Sequence, residues 1–499
     1  MENRASDLLG KAIELRTSHE KSEEGKLARL MEDPAGKAFT LAMVDEVFRS
    51  QHPSIQARRW RGLLRDFGIP HYLNLFDRTL LGLGAAASAL APQLVMPLVA
   101  RRLRQDSARV ILAAEQPKLD HYLERRTDDG FRINLNQLGE AVLGEDEAAH
   151  RLNVILDHLA NPRVDYVSVK ISAIFSQINL TAWQESLATI KSRLRQLYRA
   201  AFALRKFVNL DMEEYRDLSL TLAAFRELLD EPEFHDLSAG VVLQAYLPDS
   251  WSAQQELTEW AIRRVATGGA EIKLRLVKGA NLAMETVEAE LHGWARALYA
   301  NKLETDANFR RMLEFGCQPG NAAAVRLGVA SHNLFDVALA LELRERLGTG
   351  KRVEIEMLEG MANHEARAIR QSAGSVLLYA PVVRDDDFPG AMAYLVRRLD
   401  ENTAPQNFLR SAFALEPGSP AWTRELDRFR RGWEMRTTVS ARSNRAHSAT
   451  EIERNEAFHN EPDSDWTQAD VREKLAAALA GRRAQPLPPL ASLEDVLST

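Results

Sequence analysis

Two adjacent arginines, Arg397 and Arg398, are the residues best suited to bind a small anion. They lie in the segment AMAYLVRRLDEN, residues 391–402. On a helix, the apolar side chains of this segment share one side, while Tyr394 and the arginines share the other. Guanidinium groups bind carboxylates by charge-assisted, bidentate hydrogen bonds. The pair therefore predicts a carboxylate site, although it is also typical of a solvated helix face.

Eight short β-rich segments precede or adjoin this stretch, and a helical stretch follows each of them. They are FRINLNQL, DYVSVKIS, FVNLDM, GVVLQAYL, EIKLRLVKG, RLGVASHN, RVEIEML and VLLYAPV, which begin at Phe131, Asp165, Phe207, Gly240, Glu271, Arg326, Arg352 and Val376. Successive strand–helix units predict an α/β fold, a (β/α)8 TIM-like barrel with AMAYLVRRLDEN as its eighth helix.

Active sites of such barrels lie at the carboxyl ends of the strands, and polar residues stand at nearly every end here. The residues at or just after the eight ends are Glu140, Lys170, Asp211, Gln244, Arg275 with Lys278 and Gly279, Ser331 with His332 and Asn333, Leu358 and Tyr379. Each has a structural explanation of its own, such as a helix cap for Asp211 or a satisfied core imidazole for His332. Their placement at one rim predicts a functional site.

The chemistry that this set favours is the binding of a small carboxylate next to a flavin. Lys170, Arg397 and Arg398 supply three cations, and IKLRLVKGAN supplies more, with Gly279 permitting close backbone approach. A positive group beside a flavin favours its reduced form, which suits hydride transfer. A Schiff-base lyase that uses Lys170 or Lys278 as nucleophile is an open alternative.

Other cofactor classes have no pattern in this sequence. It contains no HExxH motif, no spacing typical of two histidines and one carboxylate, and no GxGxxG opening a helix, so we predict neither a metal site nor a Rossmann nucleotide site. The net charge of -6 and pI near 6.1 predict no nucleic-acid partner. A single cysteine, Cys317, and a start without a signal-peptide pattern predict a cytoplasmic location.

An uncharged run of 21 residues, Leu80 to Ala100, precedes three arginines. Its length suits a membrane span. Pro92 and Pro97 favour instead a broken, buried helical segment. The basic flank also leaves open a peripheral contact with an anionic lipid surface, on the inner face of the membrane.

Three regions follow from these patterns. Residues 1–128 are predicted to be a helical N-terminal domain, because apolar residues recur at three- and four-residue steps. Residues 129–410 are predicted to form the barrel. Residues 411–499 are predicted to be an irregular C-terminal tail with one helix in QADVREKLAAALAGRR.

Several motifs together resemble the proline dehydrogenase domain of the bacterial bifunctional proline utilisation flavoenzymes. They are SVKIS, NLDMEEY, LQAYLPDS, RLVKGAN, ETDANF, ASHN, LLYAPV and AYLVRRLDEN, in that order, within about residues 130–410. The resemblance implies FAD-dependent oxidation of L-proline to 1-pyrroline-5-carboxylate in proline catabolism. It implies hydride transfer from C5 of proline to flavin N5, and a membrane quinone as the acceptor of the electrons.

The resemblance also implies roles for individual residues. Asp211 and Arg275 would be catalytic, with Arg275 near the reactive edge of the flavin and Asp211 ordering the site. The substrate would contact Lys170, Arg397, Arg398, Leu358, Tyr379 and Tyr394, with Glu140 pairing with Arg397 to close the site. The FAD would contact Met212, Gln244, Arg275, Lys278, Gly279, Ala280, Ser331 and His332.

Differences from the common family pattern occur at Asn281, Ser331 and Glu356, where an aromatic residue, Thr and Gln are frequent. The segment FHNEPDSDWTQADVR resembles the entry to the aldehyde dehydrogenase domain of bifunctional members. No nucleotide fold follows it, so we expect a monofunctional enzyme or a piece that works with a separate pyrroline-5-carboxylate dehydrogenase. A non-catalytic scaffold subunit is the remaining alternative.

Overall fold

Eight parallel strands close into a barrel in the computed structural model of this chain, which describes residues 1–48, 50, 52–108, 110–139, 142–391, 394, 408, 415–445 and 462–483. The barrel strands are β2 Arg132–Gln137, β3 Tyr166–Val169, β4 Phe207–Leu210, β5 Gly240–Gln244, β6 Ile272–Val277, β7 Val325–Ala330, β8 Val353–Leu358 and β9 Val376–Val383. Each pairs with the next along the chain, and β9 also pairs with β2, which closes the barrel. The predicted (β/α)8 fold and its eight strand segments are confirmed.

The sheet also contains a short strand that the sequence did not predict. β1, Leu112–Ala113, pairs in parallel with the end of β9 at Val382 and Val383. Two residues are too few to give an alternating pattern, and tertiary contacts alone decide this strand.

Helices cover the outside of the barrel between successive strands. They are α8 Glu145–Ala160, α10 Trp183–Leu204, α11 Leu218–Leu229, α12 Asp249–Ala266, α14 Lys302–Gly316, α16 Leu334–Arg346 and α17 Asn363–Ala373, with the shorter α9 Ile171–Ile174, α13 Leu282–His292 and α15 Pro319–Ala324. All residues of β3 and β5 are buried, because a barrel strand faces helices on one side and the interior on the other. The predicted eighth helix, AMAYLVRRLDEN, lies outside the described residues except at Ala391 and Tyr394.

The N-terminal region is helical, as predicted. Its helices are α1 Glu2–Glu14, α2 Ser18–Glu32, α3 Pro34–Ala42, α4 Pro53–Phe67, α5 Leu75–Leu90, α6 Pro92–Ser107 and α7 Gln116–Asp128. Prolines open α3, α4 and α6 in the first turn, where the missing amide costs no hydrogen bond. Phe39, Trp60 and Met96 form a second core that continues to Val383 at the end of β9.

The segment Leu80 to Ala100 corrects one prediction. It forms parts of α5 and α6, two helices that contact each other and are separated at Ala91, so the predicted break is present. Its burial is incomplete, and the prediction of a packed interior segment is wrong for its outward side. The exposed large hydrophobic residues on that side are Leu80, Leu83, Leu90, Leu94 and Leu98, and the first turn of α5 adds Leu75 and Phe76. No helix in the described residues is long and apolar enough to cross a membrane.

The C-terminal region corrects a second prediction. Residues 420–435, expected to be irregular, form α18, Pro420–Met435, which packs against α14. Phe429 lies within 6 Å of Phe335, with 5.9 Å between ring centroids, and Trp422 lies 4.7 Å from the same ring. The predicted helix in QADVREKLAAALAGRR is confirmed as α19, Ala469–Arg483.

Replacing Phe429 by alanine tests whether α18 is part of the folded core. The ring is almost fully buried, so Phe429→Ala removes packing from the helix and from Arg310, which stacks on the ring at 4.2 Å. We expect a loss of about 3–5 kcal/mol in the free energy of unfolding, measured by urea denaturation. The neighbouring Arg430→Ala, at an exposed position, should change that free energy by less than about 0.5 kcal/mol. Equal effects of the two variants would show that α18 does not contribute to the core.

Candidate active site

The rim at the carboxyl ends of the strands gathers most of the predicted site residues. They are Lys170 after β3, Asp211 and Met212 after β4, Gln244 at the end of β5, Arg275, Lys278, Gly279 and Ala280 in and after β6, Ser331 and His332 after β7, Leu358 at the end of β8, and Tyr379 in β9. Three predicted residues, Glu140, Arg397 and Arg398, lie outside the described residues. The roles assigned to all of these residues stay predictions.

Asp211 is the centre of a buried hydrogen-bond cluster. One carboxylate oxygen accepts from Arg275 Nη1 at 2.8 Å and from Asn209 Nδ2 at 3.0 Å. The other accepts from the Tyr379 hydroxyl at 2.8 Å. Three donors from three other positions thus fix this carboxylate, and it fixes their orientation in return.

Arg275 has two further anchors inside the barrel. Its Nε donates to Glu356 Oε2 at 2.5 Å, and its Nη1 also donates to Ser168 Oγ at 3.2 Å. Burial disfavours the charge, but Glu356 and Asp211 outweigh it and raise the pKa of Arg275 above its usual value. The site therefore contains a permanent cation.

Tyr379 is a hydrogen-bond donor throughout the physiological pH range. Burial raises the pKa of its hydroxyl well above the usual value, and the negative charge of Asp211 and the ionisable hydroxyl of Tyr394 add to this effect. Tyr394 is partly buried against the second core and lies close enough to Tyr379 to affect its pKa. The two tyrosines predicted to enclose a substrate are therefore neighbours.

Two buried polar atoms at this rim have no hydrogen-bond partner in the part of the chain that the structure describes. They are Arg275 Nη2, a donor, and Gln244 Oε1, an acceptor. The amide nitrogen of Gln244 is directed to the chain after β4, where it donates to the carbonyl of Glu213 at 3.2 Å. Leaving a buried polar group unpaired costs about 1–3 kcal/mol, so both atoms fit a ligand with acceptor and donor groups, as an isoalloxazine has.

The turn after β6 brings the backbone close to an aromatic ring. Gly279 has φ of +112°, and a Cβ atom at this position would lie 2.5 Å from the ring of Tyr246. A side chain is excluded by both the conformation and the space. The turn therefore presents bare backbone, and the contact of VKGA with a cofactor stays a prediction.

Lys278 lies in this turn between two carboxylates. Its Nζ is 2.5 Å from Asp306 and 2.7 Å from Asp336. Burial lowers the pKa of Lys278, but the two carboxylates raise it by more. A lysine nucleophile needs a lowered pKa, so this environment does not suit Lys278 for Schiff-base chemistry.

A cationic cavity of about 410 Å³ adjoins this ion cluster, and the sequence analysis did not predict it. Lys302 links the cavity to the ion cluster. Its Nζ lies 3.1 Å from Asp306, the carboxylate that also pairs with Lys278. The cavity is lined by Asn301, Lys302, Leu303, Arg428 and Arg431. Two of these come from α18, a region that the sequence analysis treated as a tail.

Lys170, at the end of β3, forms an ion pair with Glu213 and is partly exposed. Glu213 is a site residue that the sequence analysis missed, although it lies in the quoted motif NLDMEEY.

His332 accepts a hydrogen bond from the backbone amide of Leu358 at 3.0 Å, which joins the turn after β7 to the end of β8. Ser331 accepts from the amide of Asn333 at 3.1 Å and shapes the same turn.

Glu356, Asp306 and Asp336 were also missed as partners of the predicted cations. The alternation in VEIEML, which places Glu354 and Glu356 on one face of β8, was the available signal. Among the described residues, no group of histidine, cysteine or carboxylate side chains could hold a metal ion.

Comparisons with known proteins agree with this geometry. The profile of the proline dehydrogenase family matches residues 119–411. The chain is 26% identical to a proline dehydrogenase of Deinococcus radiodurans, over 56% of this chain and 80% of that protein. It is 27% identical to the bifunctional protein PutA of Klebsiella aerogenes, over 56% of this chain and 22% of that protein.

A solved structure extends the similarity. Proline utilization A from Corynebacterium freiburgense is 42% identical and superposes with a TM-score of 0.68, over 86% of this chain and 41% of that chain. The chain thus spans about half the length, or less, of the bifunctional relatives it matches. Because the family profile covers more than half of the sequence, including the whole barrel, the chain belongs to the proline dehydrogenase family.

Proposed function

We propose that this chain oxidises L-proline to 1-pyrroline-5-carboxylate in proline catabolism, with FAD as the hydride acceptor. One observation carries the proposal. Arg275, Asp211 and Tyr379 form a buried cluster at the active rim of the barrel, and Arg275 Nη2 and Gln244 Oε1, which have no partner among the described residues, would bind a ligand. Membership of the proline dehydrogenase family supports the same conclusion.

The residues after β4 to β7 fit a flavin. Gln244 and Arg275 would hydrogen-bond the isoalloxazine, and Met212 would contact it. Lys278, Gly279 and Ala280, with Ser331 and His332, would hold the rest of the cofactor. The cationic cavity at Lys302, Arg428 and Arg431 favours FAD over a smaller flavin, because it would suit the additional phosphate and nucleotide. The flavin, when bound, supplies a hydride acceptor at N5.

The substrate would be held at its anionic end by Lys170, Arg397 and Arg398. Leu358, Tyr379 and Tyr394 would enclose its ring, and Glu140 would pair with Arg397 to close the site. Oxidation breaks the C5–H bond with its electron pair, the nitrogen lone pair forms the C=N bond, and the proton on that nitrogen is released to solvent. Asp211 already accepts three hydrogen bonds, so its role is to hold Arg275 and Tyr379 in place.

The proposed reaction requires an electron acceptor and an enzyme that consumes the product. The electrons would pass to a quinone, and a pyrroline-5-carboxylate dehydrogenase, in another chain or in the same protein, would take the product. A membrane quinone requires peripheral contact with the lipid surface. The exposed apolar side of α5 and α6 suits such a contact on the inner face of the membrane, since residues 53–107 carry eight arginines and three aspartates in a protein of net charge -6.

An absorption spectrum tests the proposed function directly. The purified chain should show the spectrum of an oxidised flavin, and anaerobic L-proline should bleach it because the hydride reduces the cofactor. Release and chromatography of the cofactor should identify FAD. A colourless chain that takes up no added FAD would contradict the proposal, and a flavin that L-proline does not reduce would favour the scaffold alternative.

Substitution of Lys170 tests how the carboxylate is bound. Lys170→Met removes one charged hydrogen bond, worth about 1.5–3 kcal/mol, so KM for proline should rise about tenfold or more in steady-state assays with a dye acceptor. The matched variant Glu213→Gln leaves Lys170 without its competing carboxylate and should not raise KM. Unchanged KM in Lys170→Met would place the carboxylate elsewhere.

Liposome flotation tests the lipid contact. The chain should float with vesicles that contain anionic lipid, and Leu83→Glu together with Leu94→Glu should abolish flotation by placing charge on the apolar side. Turnover with a soluble dye should not change. Leu204→Glu, at a half-exposed position on α10, is the control and should float like the unaltered chain. Flotation that is absent from the unaltered chain, or unaffected by the double substitution, would exclude this surface.

A further inference from the structure

A line of alternating charges runs from the active rim into the barrel. Glu356 contacts Arg275 on one side, at 2.5 Å from Nε, and Lys273 on the other, at 2.6 Å from Nζ. Lys273 in turn lies 2.6 Å from Glu354, two residues earlier in β8. Glu356 and Lys273 are almost completely buried. Buried charges of this kind persist only where each has a partner.

Glu356 fixes the orientation of the Arg275 guanidinium group, which Asp211 alone does not define. A guanidinium is planar, so two anchors on different edges define its plane and its rotation. Asp211 binds the Nη1 edge from β4, and Glu356 binds Nε from β8. The remaining nitrogen, Nη2, is the one without a partner among the described residues. The two anchors together therefore leave Nη2 for a ligand.

Glu356 also determines how much positive charge Arg275 can exert on its surroundings. Two cations, Lys273 and Arg275, meet three carboxylates, Asp211, Glu354 and Glu356, within this buried line. Burial limits the screening of these charges by solvent, so each one acts strongly on its neighbours. Removing one carboxylate next to Arg275 makes the site more positive.

We infer that Glu356 is a positioning residue for Arg275, and that the Lys273–Glu356 ion pair tunes the positive charge that Arg275 presents to the flavin. This inference rests on the proposed function. Glu356 would contact neither substrate nor cofactor and would act through Arg275. A positive charge near a flavin stabilises its reduced form, so the pair sets the midpoint potential as well as the geometry.

The chain offers a matched control for this inference. Glu354 lies on the same strand and the same face as Glu356 and also pairs with Lys273, but its described partners do not include Arg275. Glu354→Gln and Glu356→Gln each remove one carboxylate charge and keep the size of the side chain. A general loss of stability or charge would affect both variants alike.

The experiment compares the potential and kinetics of these variants with FAD bound. Glu356→Gln should shift the midpoint potential positively by about 30 mV, which is a tenfold change in the two-electron equilibrium. Its kcat for proline should fall about tenfold, because Arg275 loses an anchor, while KM should stay within threefold. Glu354→Gln should shift the potential by less than a third of that value.

A double substitution separates charge from folding. Lys273→Met with Glu356→Gln removes the pair together and should return the potential to within a third of the single-variant shift. If circular dichroism shows that Glu356→Gln alone folds poorly, this double variant still tests the inference, because it removes both buried charges together. Equal shifts in Glu354→Gln and Glu356→Gln, or no shift in either, would overturn the inference while leaving the proposed function intact. Failure of the unaltered chain to bind FAD would overturn both.

Discussion

The buried ion pair between Arg275 and Asp211 is the interaction on which the rest of this site depends. It joins β6 to β4 across the barrel, and through Tyr379 and Glu356 it extends to β9 and β8. Taking charges out of water is costly, and the cost is offset here by close partners on every side. A barrel whose interior is closed by such a network has little freedom to rearrange. The network therefore gives the active rim a fixed geometry before any ligand arrives.

A second buried ion cluster holds the turn after β6 in place. Lys278 is held by Asp306 and Asp336, and Arg310 contacts Asp336 at 3.0 Å. Arg310 also donates to the carbonyl of Phe429, at 2.9 Å, so α18 is tied to this cluster. The C-terminal helix thus supports a turn that lies far from it in sequence. The cationic cavity between these elements exists because α18 packs where it does.

The N-terminal helices have a different relation to the barrel. α1 packs on α16 and α17 and belongs to the main core, whereas α3 to α6 form a core of their own that meets the barrel at the end of β9. This second core is small and does not cover the outward side of α5 and α6. The exposed leucines there follow from an amphipathic pair of helices with none of the described residues covering one face.

The sequence by itself determined the barrel, its eight strand segments and the residues at the strand ends. Short buried strands of β-branched residues alternating with helices have few other solutions, and parallel strands place their ends at one rim. Motif order then identified the family. The ion-pair partners of the rim cations could not be predicted in the same way. Glu213, Glu356 and Asp306 contact cations that lie 28 to 81 positions away in the sequence.

Tertiary structure alone decided which polar atoms are paired and which apolar faces are covered. The packing of α18 and the exposure of α5 and α6 were both mispredicted, since a helical pattern shows that one face is apolar and does not show what meets it. Likewise, the sequence placed Arg275 and Gln244 at the rim, but only the folded network shows that each retains an atom without a protein partner in the described chain. Burial and pairing are properties of distances between elements, and local sequence does not contain those distances.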